Sequence, residues 1–161
     1  MIYTMIDSPL GDLLALSDGR ALTRLDMQGG RRPHAVASHD ERNDDFFAPL
    51  RSQLEEYFGG ARRSFELALA PAGRPFEQRV WAALQEIPYG ETASYGEIAR
   101  RIGAPGSARA VGLTNGRNPI AVIIPCHRVI GADGSLTGYG GGLERKRLLL
   151  DLEQGVSALT I

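Results

Sequence analysis

Cysteine is almost absent from this sequence of 161 residues, because Cys126 is the only one. A single cysteine cannot form an intramolecular disulfide, and with only three histidines beside it the chain cannot build a thiolate-rich zinc site. We therefore expect no disulfide framework and no metal. A lone cysteine in a chain with no export signal is typical of a reducing cytoplasm, where it serves either as buried filler or as a nucleophile.

Long hydrophobic runs are missing as well. No stretch approaches 18 uncharged apolar residues, so we expect no membrane span. The first residues lack the basic and apolar regions of a signal peptide, and we expect a cytoplasmic protein. With 43% hydrophobic and 23% charged residues, the composition matches ordinary globular proteins and excludes disordered and fibrous classes. The length suits one or two small domains.

The formal net charge of −1 conceals an uneven distribution of charge. The first 75 residues carry 9 Arg against 11 Asp and Glu, whereas from Ser94 to Arg147 eight basic residues face only three acidic ones. A basic segment in a neutral protein is typical of a surface that meets a polyanion. A merely solvated face has the same charge pattern, and charge alone leaves both interpretations open.

The amino-terminal part has the pattern of a small antiparallel sheet. Residues 2–6, 13–16 and 21–27 are apolar enough for three short strands, separated by turn sequences at residues 8–11 and at Asp18-Gly19. Residues 28–43 are rich in Gly, Arg, Pro and His and predict an exposed loop. This half therefore begins with a predicted meander.

A helix, a strand and a linker are predicted next. Apolar side chains from Phe47 to Phe58 repeat at helical spacing, and residues 65–70 alternate like a strand. The sequence Pro-Ala-Gly-Arg-Pro at 71–75 is typical of a linker. We therefore predict two domains, residues 1–75 and 76–161.

The second half is predicted to be mostly helical. An apolar stripe from Phe76 to Ile87 indicates a core helix, and Ser94 with Glu97 has the spacing of a capping box that opens another helix. A glycine-containing break at 103–106 separates it from a further helix at about 107–115. Two short helices around a tight turn in the basic segment favour a helix-turn-helix. A last helix is predicted over residues 143–153, followed by a tail at 154–161.

Cys126 lies in the sequence Pro-Cys-His-Arg-Val after a short apolar run at 120–124. A thiol attacks only as its thiolate, so a catalytic cysteine needs a neighbouring base or positive charge. His127 can serve as that base, and Glu153 on the last helix can orient the imidazole. Adjacent side chains diverge, so the proton path from Cys126 to His127 is expected to include a water. The alternative for a lone cysteine after an apolar run is a buried, inert thiol.

The segment Pro-Cys-His-Arg-Val resembles the acceptor-cysteine signature of the O6-alkylguanine-DNA alkyltransferases. The similarity extends from Tyr95 to Glu153 and includes Ala-Arg-Ala-Val-Gly at 108–112, Asn118-Pro119 and Tyr139. It implies an α/β fold of two domains. The first would be a small antiparallel sheet with a helix, ribonuclease-H-like; the second would be mostly helical and winged-helix-like, with the helix-turn-helix.

The resemblance also implies a reaction. The chain would carry out direct-reversal DNA repair by moving the alkyl group of O6-alkylguanine in double-stranded DNA irreversibly onto Cys126. It would act once per molecule, as a monomer, without a cofactor; activity on O4-alkylthymine is left open. His127 would be the base, held by Glu153, and Arg128 an ion-pair partner.

Further roles are implied for residues of the pocket and of the DNA-facing helix. Tyr139 would donate to the flipped guanine, the Val129 backbone would meet its exocyclic amine, and Asn118 would brace the active-site segment. Gly140 stands where many relatives carry a serine, which removes one hydroxyl from the pocket. On the helix, Arg109 would replace the extruded base and Tyr95 would crowd the adjacent phosphate, while Ala108, Ala110 and Gly112 allow close approach to a minor groove.

Three other functions are compatible with parts of the sequence. A cysteine hydrolase could use Cys126, His127 and Glu153, but it would have to regenerate its thiol. A non-catalytic lesion-binding protein of the alkyltransferase-like kind would have replaced the acceptor cysteine. A general helix-turn-helix regulator would leave the Pro-Cys-His-Arg segment unexplained.

Overall fold

The computed structural model describes residues 1–30 and 33–156. Its amino-terminal half is a four-stranded sheet in the order β3-β2-β1-β4. The first three strands form the predicted antiparallel meander, and β4 pairs with β1 in parallel. The strands are β1 (Ile2–Ile6), β2 (Leu13–Ser17), β3 (Leu22–Met27) and β4 (Glu41–Arg42).

Two predictions for this half are wrong. The stretch at 28–43 is not wholly a loop, because its polar residues Glu41 and Arg42 form β4. Residues 65–70 do not form a strand; they make one isolated bridge, between Leu69 and Leu22 of β3. The pairing stops there because Pro71 follows, and proline has no N–H to continue a ladder.

The outer edge of β3 also holds the segment that leads towards Cys126. The backbone N–H of Leu25 donates to the carbonyl of Pro119 at 2.9 Å, and the N–H of Ala121 donates back to the carbonyl of Leu25 at 3.0 Å. An edge strand left open would expose unpaired backbone groups. The amino-terminal sheet therefore supports the backbone five to seven residues before the cysteine.

The remaining elements are mostly helical, and their buried apolar side chains form one cluster with those of the sheet. The helices are α1 (Ala48–Phe58), α2 (Pro75–Leu84), α3 (Tyr95–Arg101), α4 (Ala108–Gly116) and α5 (Leu143–Glu153). A 3₁₀ turn at Asp45–Phe47 precedes α1, and the apolar stripes predicted for α1 and α2 are the buried faces of these helices. Ile87, predicted on the α2 stripe, lies beyond that helix's end but is still buried.

The predicted helix-turn-helix is present as α3 and α4. Ser94 caps α3, since its Oγ accepts from the N–H of Glu97 at 3.1 Å. The turn between the helices uses Gly103 and Gly106, both with positive φ, where a side chain would be strained. Trp81 of α2 donates its indole N–H to the carbonyl of Thr114 at 3.2 Å and so fixes α4 from behind.

A short parallel pair that the sequence did not predict joins this motif to the cysteine segment. Strand β5 (Ala93–Ser94), just before α3, pairs with β6 (Val129–Ile130), just after Cys126. The start of the helix-turn-helix and the end of the cysteine segment are therefore hydrogen-bonded neighbours.

Arg31 and Arg32 of the predicted loop and residues 157–161 of the predicted tail lie outside the described residues. Within the ranges 1–30 and 33–156, no helix has both the length and the apolar character to cross a membrane.

Candidate active site

Cys126 begins a 3₁₀ turn, Cys126–Arg128, that follows a strained piece of backbone. Val122 has φ +70°, and the N–H of Ile123 donates to the carbonyl of Ala121 at 2.8 Å across it. This is a γ-turn in the left-handed region, which a β-branched residue rarely adopts. Such strain persists only where the surroundings hold it, and it is commonly found at functional sites.

Two asparagines hold this backbone. Asn118 donates its side-chain amide to the carbonyl of Ile124 at 2.7 Å and accepts from the N–H of Ile120 at 3.0 Å, so it clamps the apolar run at both ends. Asn115, which the sequence analysis did not select, donates to the carbonyl of Cys126 at 3.2 Å. The geometry of Asn118 agrees with the bracing role predicted for it.

His127 and Glu153 meet in a fully enclosed contact. Nε2 of His127 lies 2.7 Å from Oε2 of Glu153, and both side chains are buried. An ionised carboxylate can only accept, so the imidazole must carry its proton on Nε2. Nδ1 is then the basic nitrogen, and it has no hydrogen-bond partner among the described residues. The contact therefore fixes the tautomer that leaves a base available beside Cys126.

Arg128 completes the surroundings of Glu153. Its Nε lies 2.7 Å from Oε1 and its Nη2 lies 2.9 Å from Oε2, while Nη1 donates to the carbonyl of Ile87 at 2.7 Å. Burial acts to raise the pKa of Glu153, but hydrogen bonds from His127 and Arg128 and their charges outweigh it and lower the pKa from 4.5 to about 2. Arg128 thus forms the ion pair expected of it.

The resting thiol and imidazole are both uncharged. Burial raises the pKa of the Cys126 thiol above its usual value, although the Asn118 side chain and the Lys146 charge oppose this. Burial also lowers the pKa of His127, although Glu153 opposes it. A buried pair of this kind holds its proton on sulfur until a reaction draws it off. The proton then moves to an imidazole that Glu153 is already placed to stabilise as a cation.

Tyr139 and Val129 flank the cysteine. The hydroxyl of Tyr139 is buried and has no hydrogen-bond partner among the described residues, and its pKa is raised well above the usual value by burial and by the neighbouring Cys126. An unpaired buried donor costs free energy, so this hydroxyl is suited to receive a ligand. The carbonyl of Val129 already accepts from Nζ of Lys146 at 2.6 Å, which leaves one lone pair for a substrate.

Lys146 is the only lysine of the chain, and no role was predicted for it from the sequence. It is fully buried on α5, where Nζ also donates to the carbonyl of Thr137 at 2.7 Å. Burial lowers its pKa from 10.5 to about 8, although Cys126 opposes the shift. Lys146 therefore ties the loop that carries Tyr139 to the backbone behind Cys126.

We expect Lys146→Met to lower the free energy of unfolding by about 3 kcal/mol, because two buried carbonyls lose their donor. Between pH 8 and 10.5 the unfolded lysine binds a proton that the folded one does not. The stability of the unmodified protein therefore rises with pH across this range, and its advantage over the variant grows. Urea unfolding at pH 7 and 9.5 measures both effects. The matched control is the exposed Arg147→Met; an equal loss there, or an advantage that shrinks with pH, contradicts the prediction.

The outer face of α4 presents the predicted DNA-contacting residues. Arg109 and Ala110 are exposed, whereas Ala108 and Gly112 are half-buried. A Cβ built on Gly112 would lie 3.7 Å from the ring of Tyr95, whose hydroxyl lies 2.7 Å from Oγ1 of Thr137. A groove of about 720 Å³ runs along the starts of α3 and α4, lined by residues that include Tyr95, Arg100 and Ala108.

The basic segment is divided by the fold. Arg128 and Lys146 are buried and Arg145 is half-buried, so these three do not contribute to an open basic surface. The other five basic residues between Ser94 and Arg147 are exposed: Arg100, Arg101, Arg109, Arg117 and Arg147. The predicted polyanion-facing surface is thus smaller than the charge count indicated, but it includes the exposed face of α4.

The glycine loop after Tyr139 packs against the amino-terminal half. A Cβ on Gly141 would come within 2.5 Å of Sδ of Met27 and within 2.9 Å of the Tyr139 ring, so the close approach requires glycine. Gly140 is different: a Cβ there would meet nothing nearer than the Gly116 carbonyl at 3.8 Å. There is therefore room for a serine side chain at position 140, although this chain has glycine there.

No group of three or more potential metal ligands occurs within residues 1–30 and 33–156.

Two family models cover nearly the whole chain. The model "6-O-methylguanine DNA methyltransferase, ribonuclease-like domain" matches residues 1–71, and "6-O-methylguanine DNA methyltransferase, DNA binding domain" matches residues 75–155. The chain belongs to the 6-O-methylguanine DNA methyltransferase family. This membership confirms the resemblance and the α/β fold with a ribonuclease-like sheet and a DNA-binding helical part.

Individual members of the family are close to this chain. Proteins called methylated-DNA–protein-cysteine methyltransferase are 50% identical in Methanosarcina acetivorans, over 95% of this chain and 98% of that one, and 54% identical in Mycobacterium tuberculosis, over 94% and 92%. The crystal structure of Mycobacterium tuberculosis OGT in complex with DNA superposes with a TM-score of 0.91 at 53% identity, covering 96% of this chain and 94% of that one.

Proposed function

We propose that this protein repairs O6-alkylguanine in double-stranded DNA by transferring the alkyl group irreversibly to Cys126. The observation that carries the proposal is the enclosed contact of His127 with Glu153, which leaves an unpartnered imidazole nitrogen on the residue that directly follows the only cysteine. Family membership and relatives that are named methylated-DNA–protein-cysteine methyltransferase support the same reaction. Such a protein acts once, because nothing in the site removes the alkyl group from a thioether.

The chemistry can be written in balance for a methyl adduct. The Cys126 thiol gives its proton through a water to Nδ1 of His127, while Glu153 stabilises the imidazolium. Sulfur forms a bond to the methyl carbon as the bond from that carbon to O6 breaks, and its electron pair stays with the guanine. Tyr139, with its unpaired hydroxyl, donates a hydrogen bond to the guanine as negative charge develops there. The guanine takes one proton from water, the imidazolium of His127 returns the proton of the thiol to water, and Tyr139 keeps its own.

The buried position of Cys126 requires the base to leave the duplex. The thiol is only 5% exposed, so it cannot reach a base that is stacked within a helix, and the nucleotide must be flipped into the pocket. The small residues Ala108, Ala110 and Gly112 allow α4 to approach a minor groove. Tyr95, beside the groove along α3, is suited to crowd the phosphate next to the flipped nucleotide.

Several further properties belong to the same proposal. The domains divide within residues 71–75; the gap between the two family matches, residues 72–74, supports this, although Pro75 already begins α2. Val129 holds the flipped base through its backbone, and Asn118 holds the backbone around Cys126. The protein works as a monomer in the cytoplasm, without a cofactor.

The mass of the intact protein tests the proposal directly. After incubation with a duplex that contains O6-methylguanine, we expect a stoichiometric gain of one methyl group, on the peptide that contains Cys126. Regeneration of a free thiol with continued turnover would indicate a cysteine hydrolase instead. Tight binding of the lesion without any gain in mass would indicate a non-catalytic lesion-binding protein.

Arg109 is expected to fill the space that the flipped nucleotide leaves. It is the only long side chain between Ala108 and Gly112, it is exposed, and unstacking a base costs a few kcal/mol. We expect Arg109→Ala to slow transfer from duplex DNA by about tenfold or more, with little effect on the free alkylated base, which needs no flipping. Single-turnover rates on both substrates measure the difference.

Arg109→Lys distinguishes two roles of Arg109: a wedge, which stacks in the space left by the flipped nucleotide, and a simple contact to a phosphate. An ammonium group cannot stack as a planar guanidinium does, so lysine should restore little of the transfer rate if Arg109 is a wedge. A phosphate contact would be rescued well, and its loss would shrink at low salt. The exposed Arg117→Ala, at the end of α4, is the control. Equal losses on duplex and free base, or full rescue by lysine, would reject the wedge.

A further inference from the structure

Glu153 receives a hydrogen bond from the other half of the molecule. The hydroxyl of Tyr57, in the last turn of α1, lies 2.5 Å from Oε2 of Glu153, across 96 residues of sequence. Both side chains are buried, and Tyr57 is fully enclosed. Since the carboxylate is ionised, the phenol must donate. This contact is separate from the relay, that is, the proton transfer from Cys126 to His127 that Glu153 assists.

The carboxylate of Glu153 is surrounded by donors. Oε1 accepts from Nε of Arg128, whereas Oε2 accepts from Tyr57, from His127 and from Nη2 of Arg128. A carboxylate oxygen has about two acceptor positions, so the three donors on Oε2 compete for its negative charge, whereas Oε1 has a single donor. Tyr57 and His127 therefore share one oxygen, and a strong bond from the phenol reduces the negative charge that Oε2 offers to the imidazole.

We propose that Tyr57 is a positioning residue for alkyl transfer: it holds Glu153 and limits its basicity, so that His127 stays neutral and ready to accept the proton of Cys126. This inference rests on the proposed function, because it assigns Tyr57 a part in that relay. It gives the amino-terminal half a chemical role in a reaction whose cysteine and base both lie in the carboxy-terminal half.

Tyr57 stays protonated, and so remains a hydrogen-bond donor to Glu153, at every pH at which transfer is measured. Burial raises its pKa well above the usual value, and the charge of Glu153 adds to the shift, so the phenol remains a donor. Besides His127 and Arg128, two other titratable side chains face Glu153 at longer range: Tyr89, which lies under Arg63 and Arg128, and Tyr139 of the pocket. Lys146 acts on His127 from α5.

Because Tyr57 and His127 share Oε2 of Glu153, loss of the Tyr57 hydroxyl changes the pKa of His127 in a defined direction. Removal of the phenol hydroxyl leaves more negative charge on Oε2, which stabilises the protonated imidazole and raises the pKa of His127. At low pH a larger fraction of the protein then has no free base. At high pH, where the imidazole is neutral in either protein, the rate of transfer stays the same.

The test is the pH dependence of single-turnover methyl transfer at saturating lesion duplex. We expect Tyr57→Phe to shift the acidic limb of the profile, where the rate falls as the pH is lowered, to a pH higher by about 0.5 unit or more. The plateau rate at high pH should stay within about twofold of that of the unmodified protein. Tyr89→Phe is the matched control, since its hydroxyl lies 3.5 Å from the carbonyl of Leu152 rather than on the carboxylate, and it should not move the limb.

Each other outcome overturns the inference. A uniform loss of rate at every pH means that Tyr57 only joins the two halves, and an unchanged profile means that its hydroxyl does not act on the relay. Should Tyr57→Phe fail to fold, 3-fluorotyrosine at position 57 keeps the hydroxyl and donates more strongly, so the limb must move downward. If the unmodified protein itself takes up no methyl group, the proposed function fails and the role of Tyr57 fails with it.

Discussion

Cys126→Ala is expected to take up no methyl group at all while it binds DNA about as tightly as the unmodified protein. The chain has no second cysteine to act as acceptor, and the neighbouring amine of Lys146, with a pKa of about 8, is mostly protonated at pH 7 and donates to two carbonyls. Binding should persist because Cys126 is buried, away from the exposed arginines of α4 and its surroundings. Those arginines are suited to the phosphate contacts that dominate affinity and depend on salt.

Intact mass after incubation with lesion duplex and titration of fluorescent DNA at two salt concentrations measure the two effects. Cys126→Ser is the companion variant, because it keeps a polar atom of similar size at the site but a far weaker nucleophile. A methyl group found on either variant would show that the acceptor has been misassigned. A large loss of DNA affinity in both would show that the thiol region belongs to the binding surface.

Glu153→Gln is expected to slow methyl transfer by about 100-fold or more. The amide cannot stabilise an imidazolium as the carboxylate does, and it can offer its NH₂ group to His127, which would favour the wrong tautomer. The variant also leaves Arg128 without its buried counter-charge, so folding must be verified at the temperature of the assay. Glu144→Gln, an exposed glutamate at the start of α5, is the matched control.

Glu153→Gln should also change how the stability of the protein depends on pH in the acidic range. Because the pKa of Glu153 falls to about 2 on folding, from 4.5, its ionised form stabilises the folded state above pH 4.5, and this stabilisation is lost as the pH falls towards 2. Glu153→Gln should therefore be less stable at neutral pH but lose less stability between pH 4.5 and 2. A transfer rate within about threefold of the unmodified protein, in a folded variant, would show that the relay does not operate.

The sequence predicted those parts of the fold that depend on local patterns. The capping box at Ser94, the apolar stripe of α1 and the turns between β1, β2 and β3 each produced the expected element. Strand β4 and the pairing of β5 with β6 were missed because two-residue strands have no periodicity. Residues 65–70 alternate like a strand, but alternation does not reveal whether a partner edge continues.

The candidate site was predicted in the same uneven way. The contact of His127 with Glu153 was expected from what a catalytic cysteine needs, and the resemblance implied it as well. Tyr57 could not be found, since it occupies an apolar stripe where a tyrosine looks like any core aromatic. Lys146 did leave a signal: it shares a helical face with Leu149, Leu150 and Glu153, and a charged residue on an otherwise buried face needs partners. Asn115 on the buried face of α4 left the same kind of signal.

Burial of the single lysine has a consequence for the chemistry of the protein surface. Every other basic side chain is an arginine or a histidine, so no lysine amine is open to acylating reagents. An activated ester should therefore leave the lysine of the folded chain unmodified, and a dye attached to Lys146 would report unfolding around α5.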